Sequence, residues 1–360
     1  MNINKNYGVT NIMWPFCDIL LKNKKVRSKW KKDADSPVLF FIDDLANKCV
    51  DINNDGKIKP EEDWGYAGID ENGAFYFLEK EILSVNYKIK TTFFVPVGKR
   101  ANVIIDSEIK SISEPINATN KSKKFFKTFH NDERFEIAYH GTTHGVPGKT
   151  AKDFIQEWES YKSLDEALTT INRGKEICRD AIGVFPNGGK YCGYTTNEFS
   201  DESIDKSGFK WWCRYYNRAA VDGCNETKFC GRDKDSFYSF NVKFFGKNKV
   251  VDIPTTISGN LLNSVFRPSK GIKGILKKIL KPLIIRWKLR KIDFLLKNNL
   301  VISIQEHISP SREDGKRQTP NIFDDKESLK FIFEYLKKKN VWYCTGSELA
   351  EWVKGKKNVY

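Results

Sequence analysis

Short apolar runs alternate with amphipathic segments along most of the chain. Residues 37–42 form a compact apolar run of the kind that is buried in a parallel sheet. Residues 74–84 then carry apolar side chains at helical spacing, and residues 90–97 form a second apolar run. This order of strand, helix and strand is typical of a βαβ unit, so the pattern predicts an α/β fold.

The same alternation continues to the end of the chain. It predicts further strands at residues 134–139, 181–186, 209–213, 250–254, 300–304 and 341–344. It predicts helices at residues 152–170, 203–207 and 324–339, and a last helix that Ser347 caps and that runs through Val353. The sequence has no internal repeat and no low-complexity linker. We therefore expect an N-terminal extension (residues 1–35) and one barrel-like domain (residues 36–353).

Carboxylates and imidazoles follow three of these predicted strands directly. Asp43 and Asp44 come after the first strand, His140 and His144 lie four residues apart after residues 134–139, and His307 follows residues 300–304. In barrels and open α/β sheets, sites are built at the carboxyl ends of strands, where imidazoles can converge on one ion. Two adjacent carboxylates repel unless their roles differ, so the pair suggests one metal ligand and one base. Ordinary polar turns are the alternative.

A second metal motif follows the first strand. Residues 51–62 fit the calcium-loop pattern D-x-N-x-D-G-x-I-x-x-x-E, with Gly56 at the sharp turn. However, no strong helix precedes the loop, no second loop pairs with it, and two lysines reduce its negative charge. A solvated turn is the alternative. The calcium ligands would be Asp51, Asn53, Asp55, the Lys57 carbonyl and a bidentate Glu62.

Composition and charge narrow the class of protein. The 360 residues are 40% hydrophobic and 13% aromatic, which is ample for a buried core. The formal charge of +15 suits an anionic partner, but no nucleic-acid module accompanies it, so we expect no nucleic-acid partner. We identify no secretion signal and no transmembrane segment. The eight cysteines form no CxxC pair, which suits reduced thiols. We therefore expect a cytoplasmic protein, with a peripheral position at the inner membrane face as an alternative.

One segment carries much of the positive charge. Residues 270–291 contain nine Lys or Arg and no acidic residue, and their apolar residues recur at helical spacing. Pro282 is expected to kink this helix or to start a second one. We assign residues 265–298 to a basic helical insertion. Packing on the barrel with a solvated basic face is one interpretation, and contact with an anionic membrane through residues 270–291 is the other.

Five motifs together resemble, in the right order, the motif series of the polysaccharide deacetylases, the chitin-oligosaccharide deacetylase-like homology domain. They are Phe-Ile-Asp-Asp (41–44), His-Gly-Thr-Thr-His (140–144), Phe-Pro-Asn-Gly (185–188), Gly-Phe-Lys-Trp (208–211) and Ile-Ser-Ile-Gln-Glu-His (302–307). Residues 341–345 and 348–352 resemble the family's ending. The resemblance covers residues 36 to 353 and implies a single-domain α/β fold with insertions, a distorted (β/α)7 barrel with a metal site at the carboxyl ends of its strands.

The resemblance also implies roles for individual residues. Asp44, His140 and His144 would bind zinc or another divalent transition metal, Asp43 would be the general base, and His307 would be the general acid. Two imidazoles and one carboxylate leave an open coordination position on the metal, and zinc can lower the pKa of bound water to roughly 7. The implied activity is removal of an N-acetyl or similar small acyl group from an amino sugar in a cell-surface polysaccharide or its lipid-linked precursor. A non-catalytic, metal-stabilised glycan-binding or membrane-surface protein with the same fold is the alternative.

Other positions depart from the family pattern or extend it. Val184 and Phe185 precede Pro186 where the third motif normally opens with an arginine that braces the catalytic aspartate. Lys210-Trp211-Trp212 stands where the fourth motif normally supplies an aspartate that tunes the acid histidine. The residues that orient the catalytic groups are therefore not identified. We expect substrate contacts near the mouth of the barrel from Trp64, Pro186, Tyr191 and Trp211.

Overall fold

The computed structural model describes residues 30–47, 55–57, 73–100, 102–107, 112–215, 240–308 and 318–356. The strands are β1 (Ser36–Asp43), β2 (Thr91–Val95), β3 (Phe135–Tyr139), β4 (Gly145–Val146), β5 (Ile155–Gln156), β6 (Gly188–Lys190), β7 (Trp211–Cys213), β8 (Lys243–Phe245), β9 (Val250–Asp252), β10 (Ile257–Ser258), β11 (Ile302–His307) and β12 (Val341–Tyr343). The helices are α1 (Ala74–Glu81), α2 (Asn120–Asn131), α3 (Glu157–Ser160), α4 (Leu164–Ile182), α5 (Ser200–Lys206), α6 (Asn263–Phe266), α7 (Gly271–Lys297), α8 (Ile322–Lys337) and α9 (Gly346–Gly355).

One large sheet organises these elements. Its strand order is β10-β11-β1-β2-β3-β6-β7-β9-β8, and β12 also pairs with β1. The strands from β10 to β9 in this order run parallel, whereas β8 pairs antiparallel with β9. Because parallel strands align their carboxyl ends, the residues that follow them meet at one end of the sheet.

The sheet curls into a half-barrel. Phe41 on β1 and Trp211 on β7 are four strands apart in the sheet, which is roughly 19 Å in a flat sheet. Their ring centroids are nevertheless 6.2 Å apart and stacked. Both rings belong to the cluster inside the barrel, whereas Phe40 and Ile42 point outward and pack under the helices. The predicted α/β barrel is confirmed.

Two predicted elements in the middle of the chain are wrong. The strand predicted at residues 181–186 begins inside α4, which continues to Ile182 and ends at Gly183 with a φ of 89°. Its buried Cys178, Ala181 and Ile182 keep helical spacing, and glycine is the usual residue at such a left-handed helix end. The helix predicted at residues 152–170 is instead a short strand, β5, followed by two helices, the second of which Ser163 caps.

The basic segment forms one long helix. α7 has 27 residues and includes Pro282 in its interior, so the segment is helical as predicted but is not split into two helices. Its C-terminal half buries apolar side chains against the barrel, among them Leu289, Ile292 and Leu296. Among the described residues, no helix combines the length and the apolar character needed to cross a bilayer. At the end of the chain, Thr345 rather than Ser347 caps α9, in a capping box with Glu348.

Candidate metal centre and active site

Strand pairing brings the predicted aspartates and histidines together. Asp43 is the last residue of β1, and it lies opposite His307 on β11 and opposite Phe94 on β2. The Asp44 N–H donates to the Phe94 carbonyl at 3.0 Å, and the His140 N–H donates to the Val95 carbonyl at 3.1 Å. The ends of β1, β2, β3 and β11 therefore form the floor of one site.

Three side chains converge there as a metal site would require. Asp44 Oδ1 lies 3.3 Å from His144 Nε2 and 3.9 Å from His140 Nε2, and all three residues are buried. Bonds of about 2.0–2.1 Å in a tetrahedral zinc site place neighbouring ligand atoms roughly 3.3 Å apart. The Asp44–His144 pair has this separation and the Asp44–His140 pair is about 0.6 Å wider, so both pairs are close to the spacing of ligand atoms in a divalent transition-metal site.

The electrostatics keep these groups in the protonation states that bind metal. Burial lowers the pKa of His140 to about 3, and burial with the nearby Arg100 lowers the pKa of His144. Burial alone would raise the pKa of Asp44, but Arg100 and the two histidines hold it well below its usual range. At neutral pH the imidazoles are thus neutral and the carboxylate is ionised, as metal ligands must be.

Backbone carbonyls fix the orientation of the His140 and His307 imidazoles. His140 Nδ1 lies 3.1 Å from the Lys190 carbonyl, and His307 Nδ1 lies 2.7 Å from the Pro320 carbonyl. A carbonyl only accepts hydrogen bonds, so Nδ1 carries the proton in both rings. Nε2 of His140 is left to bind a metal, and Nε2 of His307 faces Asp43 Oδ2 at 3.6 Å. A carbonyl thus orients His307 where the family pattern supplies an aspartate.

Asp43 is held by side chains that the sequence did not reveal. Lys190 Nζ contacts Asp43 Oδ2, and Gln305 Nε2 donates to the same oxygen at 2.9 Å. Lys190 is fully buried at the end of β6, with Nζ 5.4 Å from the centroid of the Phe94 ring. It supplies the positive charge that the missing arginine of the third motif would have supplied. In the sequence, the feature that could have identified Lys190 is its position directly after the Pro186-Asn187-Gly188-Gly189 turn.

Arg100 plays a similar part for Asp44. Its Nη2 lies 3.3 Å from Asp44 Oδ2, and both side chains are buried. The second carboxylate oxygen is thereby engaged, while Oδ1 faces the imidazoles. No motif pointed to Arg100, because it lies on the loop that follows β2.

A buried carboxylate shapes the loop between the two histidine ligands. Glu157 accepts hydrogen bonds from the N–H groups of Thr142, Thr143 and His144 at 2.9, 2.7 and 2.8 Å. Gly141 has a φ of 86°, and a Cβ there would lie 2.5 Å from Glu157 Oε2. Glycine is therefore required at this position, and Glu157 positions His144 through the backbone.

Cys192 lies beside this loop. Its Sγ donates to the His140 carbonyl at 3.2 Å, and burial raises the pKa of the thiol well above its usual value. Ligand atoms of His140, His144 and Cys192 lie within 4.8 Å of one another. A second donor set therefore adjoins the Asp44 set, although a neutral thiol is a weak ligand.

The predicted sugar contacts need correction. Tyr191 and Trp211 are fully buried, with Tyr191 Oη bonded to Asp201 and Trp211 Nε1 bonded to Glu136, so neither ring can stack on a sugar. Pro186 precedes β6 and therefore lies at the amino ends of the strands, opposite the histidines. It lines a cavity of about 330 Å³ together with Lys90 and Glu348. Trp211 faces the inside of the barrel, Tyr191 packs in the core under the helices and Pro186 precedes a strand, so none of the three lies at the mouth.

The remaining predicted positions fall mainly outside the described residues. Trp64 and the loop residues Asp51, Asn53 and Glu62 lie outside them. Asp55 and Lys57 are described and exposed, and the Lys57 N–H donates to Asp55 Oδ1 at 2.8 Å. The calcium site stays a prediction.

Comparison with solved structures agrees with this architecture. A probable polysaccharide deacetylase from Pseudomonas aeruginosa PAO1 has a TM-score of 0.52 at 14% sequence identity, covering 94% of this chain and 97% of that chain. Puue allantoinase has a TM-score of 0.50 at 14% identity, covering 94% and 96%. No family model matches the sequence, and no curated protein matches it. Identities this low bear on the fold alone. The chain has a polysaccharide deacetylase-like fold, the distorted (β/α) barrel that its motifs imply.

Proposed function

We propose that this protein is a metal-dependent hydrolase that removes an N-acetyl or similar small acyl group from an amino sugar. The observation that carries the proposal is the convergence of Asp44 Oδ1 with the Nε2 atoms of His140 and His144 beside Asp43 and His307. Asp44, His140 and His144 would hold a divalent transition metal such as zinc. When bound, that metal would polarise the acyl carbonyl and lower the pKa of a bound water.

The chain's own residues then divide the proton transfers. Asp43 has one oxygen held by Lys190 and Gln305, whereas its buried Oδ1 has no hydrogen-bond partner in the described part of the chain. Oδ1 is therefore the atom that accepts the proton of the attacking water. His307 is only partly buried. As an imidazolium with a proton on each ring nitrogen, it would donate the Nε2 proton to the departing amine and keep the Nδ1 proton on the Pro320 carbonyl.

The substrate class comes from the motif resemblance rather than from the fold. The motif resemblance implies an amino sugar in a cell-surface polysaccharide or its lipid-linked precursor. The fold is shared with an allantoinase, so fold alone does not select a saccharide. A cytoplasmic site of action suits a precursor better than a finished polymer.

The test is acetate release from N-acetylated chito-oligosaccharides by zinc-loaded protein, with Asp43→Asn as the variant. Asp43→Asn should abolish turnover and retain both metal and saccharide binding, because it removes the base and keeps the shape. Turnover that is unchanged in Asp43→Asn would exclude Asp43 as the base.

One alternative is a glycan-binding protein without activity, because the arginine of the third motif and the aspartate of the fourth are absent from this sequence. Saccharide binding by the wild-type protein without acetate release, at full metal occupancy, would support that alternative.

A further inference from the structure

The long helix α7 has apolar faces on different sides in its two halves. In the C-terminal half, Leu289, Ile292 and Leu296 are buried against the barrel. In the N-terminal half, the large apolar side chains are all between 43% and 78% exposed: Ile272, Ile275, Leu276, Ile279, Leu280 and Leu283. At about 100° per residue, this exposed stripe is centred roughly 140° away from Leu289, Ile292 and Leu296. Near the end of the helix, Phe294 and Leu295 are buried as well, so only the N-terminal half leaves an apolar side uncovered.

Lysines occupy the side of the N-terminal half that is turned toward the protein. Lys277 Nζ donates to the Arg267 carbonyl, and Lys281 Nζ lies 4.7 Å from the centroid of the Phe266 ring. Farther along, Lys288 Nζ donates to the Leu261 carbonyl at 2.9 Å. A helix on a globular core normally turns its apolar side inward. Here that side faces solvent, so the stripe has a role other than packing in this chain.

The stripe lies at the same end of the barrel as the candidate site. α7 is 27 residues long, about 40 Å, whereas β11 has six residues and spans about 20 Å. The helix ends at Lys297, just before β11 begins, so its N-terminal half reaches past the carboxyl end of β11, where His307 lies. In agreement with this, the neighbouring Asn263 bonds to Asp325 at the start of α8, after the loop that follows His307.

The charges around the exposed stripe are positive and therefore favour an anionic partner. Residues 270–291 contain nine basic residues and no acidic residue, and Lys270, Lys278 and Arg286 are exposed. A second copy of the chain would bring the same positive charges together, which disfavours a dimer through this face. An apolar stripe bordered by cations is complementary to an anionic lipid surface.

We propose that residues 271–283 rest on an anionic membrane surface, with the apolar stripe inserted at the level of the lipid headgroups. The inference rests on the proposed function for its purpose: the membrane would bring a lipid-linked acylated amino sugar to the end of the barrel that holds Asp43 and the histidines. The binding itself does not depend on that activity.

Vesicle cosedimentation of the full chain tests the proposal. The probes are vesicles of equal parts phosphatidylglycerol and phosphatidylcholine, beside vesicles of phosphatidylcholine alone. The wild type should bind the anionic vesicles, and salt should weaken the binding. Ile279→Asp with Leu283→Asp should lose at least about tenfold in binding, since two apolar side chains leave the lipid. Tyr87→Asp with Val184→Asp alters two exposed apolar residues elsewhere and should bind like the wild type.

A second variant guards against misfolding of the first. Lys278→Glu with Arg286→Glu keeps the stripe, reverses two exposed charges, and should also weaken binding to anionic vesicles. Wild-type protein that fails to bind anionic vesicles would overturn the proposal. Binding equal to that of the wild type in both the stripe variant (Ile279→Asp with Leu283→Asp) and the charge variant (Lys278→Glu with Arg286→Glu) would also overturn it. Conversion of a wild-type dimer to a monomer by Ile279→Asp with Leu283→Asp, without vesicle binding, would assign the stripe to a second copy instead. Acetate release from a soluble oligosaccharide, measured in parallel, distinguishes failure of membrane binding from failure of the proposed hydrolase.

Discussion

Replacement of Glu157 by glutamine should disturb the metal centre without touching a ligand. The two carboxylate oxygens accept three backbone N–H groups of residues 142–144, and Tyr161 Oη donates to Oε1 at 2.8 Å. A glutamine keeps the shape but turns one oxygen into an NH2 group, so at least two buried donors lose their acceptor. Each lost partner costs about 1–3 kcal/mol, which gives roughly 2–6 kcal/mol in total.

The expected loss is large enough to measure in two ways. For a chain of this size, such a loss lowers the Tm on the order of 10 °C. Because His144 is the last residue of the loop, the affinity for zinc should also fall, by about 10 to 100-fold. Thermal unfolding and competition with a chromophoric chelator measure the two effects.

Glu159→Gln is the matched control. Glu159 lies on the same short helix, α3, but is exposed. The control should change the Tm and the zinc affinity little. A Glu157→Gln protein with the Tm and zinc affinity of the wild type would refute the assignment of the loop geometry to this carboxylate.

Two further predictions concern charge in the site. Lys190→Met should lower kcat by at least about tenfold at unchanged metal content, because the buried Asp43 loses its cation. Lys190→Arg keeps the positive charge and should retain more activity than Lys190→Met. Equal kcat values in the wild type and Lys190→Met would contradict this role of Lys190. The metal-free protein should lose stability as pH falls from about 6.5, the ordinary histidine pKa, toward the pKa of about 3 of folded His140, because the unfolded chain binds more protons there. This one residue changes the free energy of unfolding by about 1.4 kcal/mol per pH unit. The free energy of unfolding of His140→Gln, measured with urea, should therefore depend less on pH than that of the wild type. An identical pH dependence would count against a buried neutral His140.

The ligand set could be anticipated from the sequence because it depends on local rules. Apolar runs marked β1 and β3, and parallel strands bring Asp44 and His140 to the same end of the sheet. His144 follows on the same loop. The three ligands come together once the order of the strands is given, and the resemblance of the motif series to a known family implies that order.

The residues that support this set could not be anticipated in the same way. Arg100 and Glu157 reach the site from loops and a short helix whose paths are set by tertiary packing. Lys190 was obscured because the apolar residues at the end of α4 imitate a strand, which shifted the predicted strand away from Gly188–Lys190. Trp211 was misjudged because a three-residue strand gives no alternation from which to infer its inward direction.

Elemental analysis of the purified protein, wild type beside His140→Ala, after dialysis without a strong chelator, measures whether Asp44, His140 and His144 bind a metal. We expect about one transition metal per chain in the wild type and little in His140→Ala, since the loss of one of three protein ligands disrupts the site. A wild-type protein that binds no transition metal even after zinc is supplied would contradict the metal centre and the hydrolase built on it.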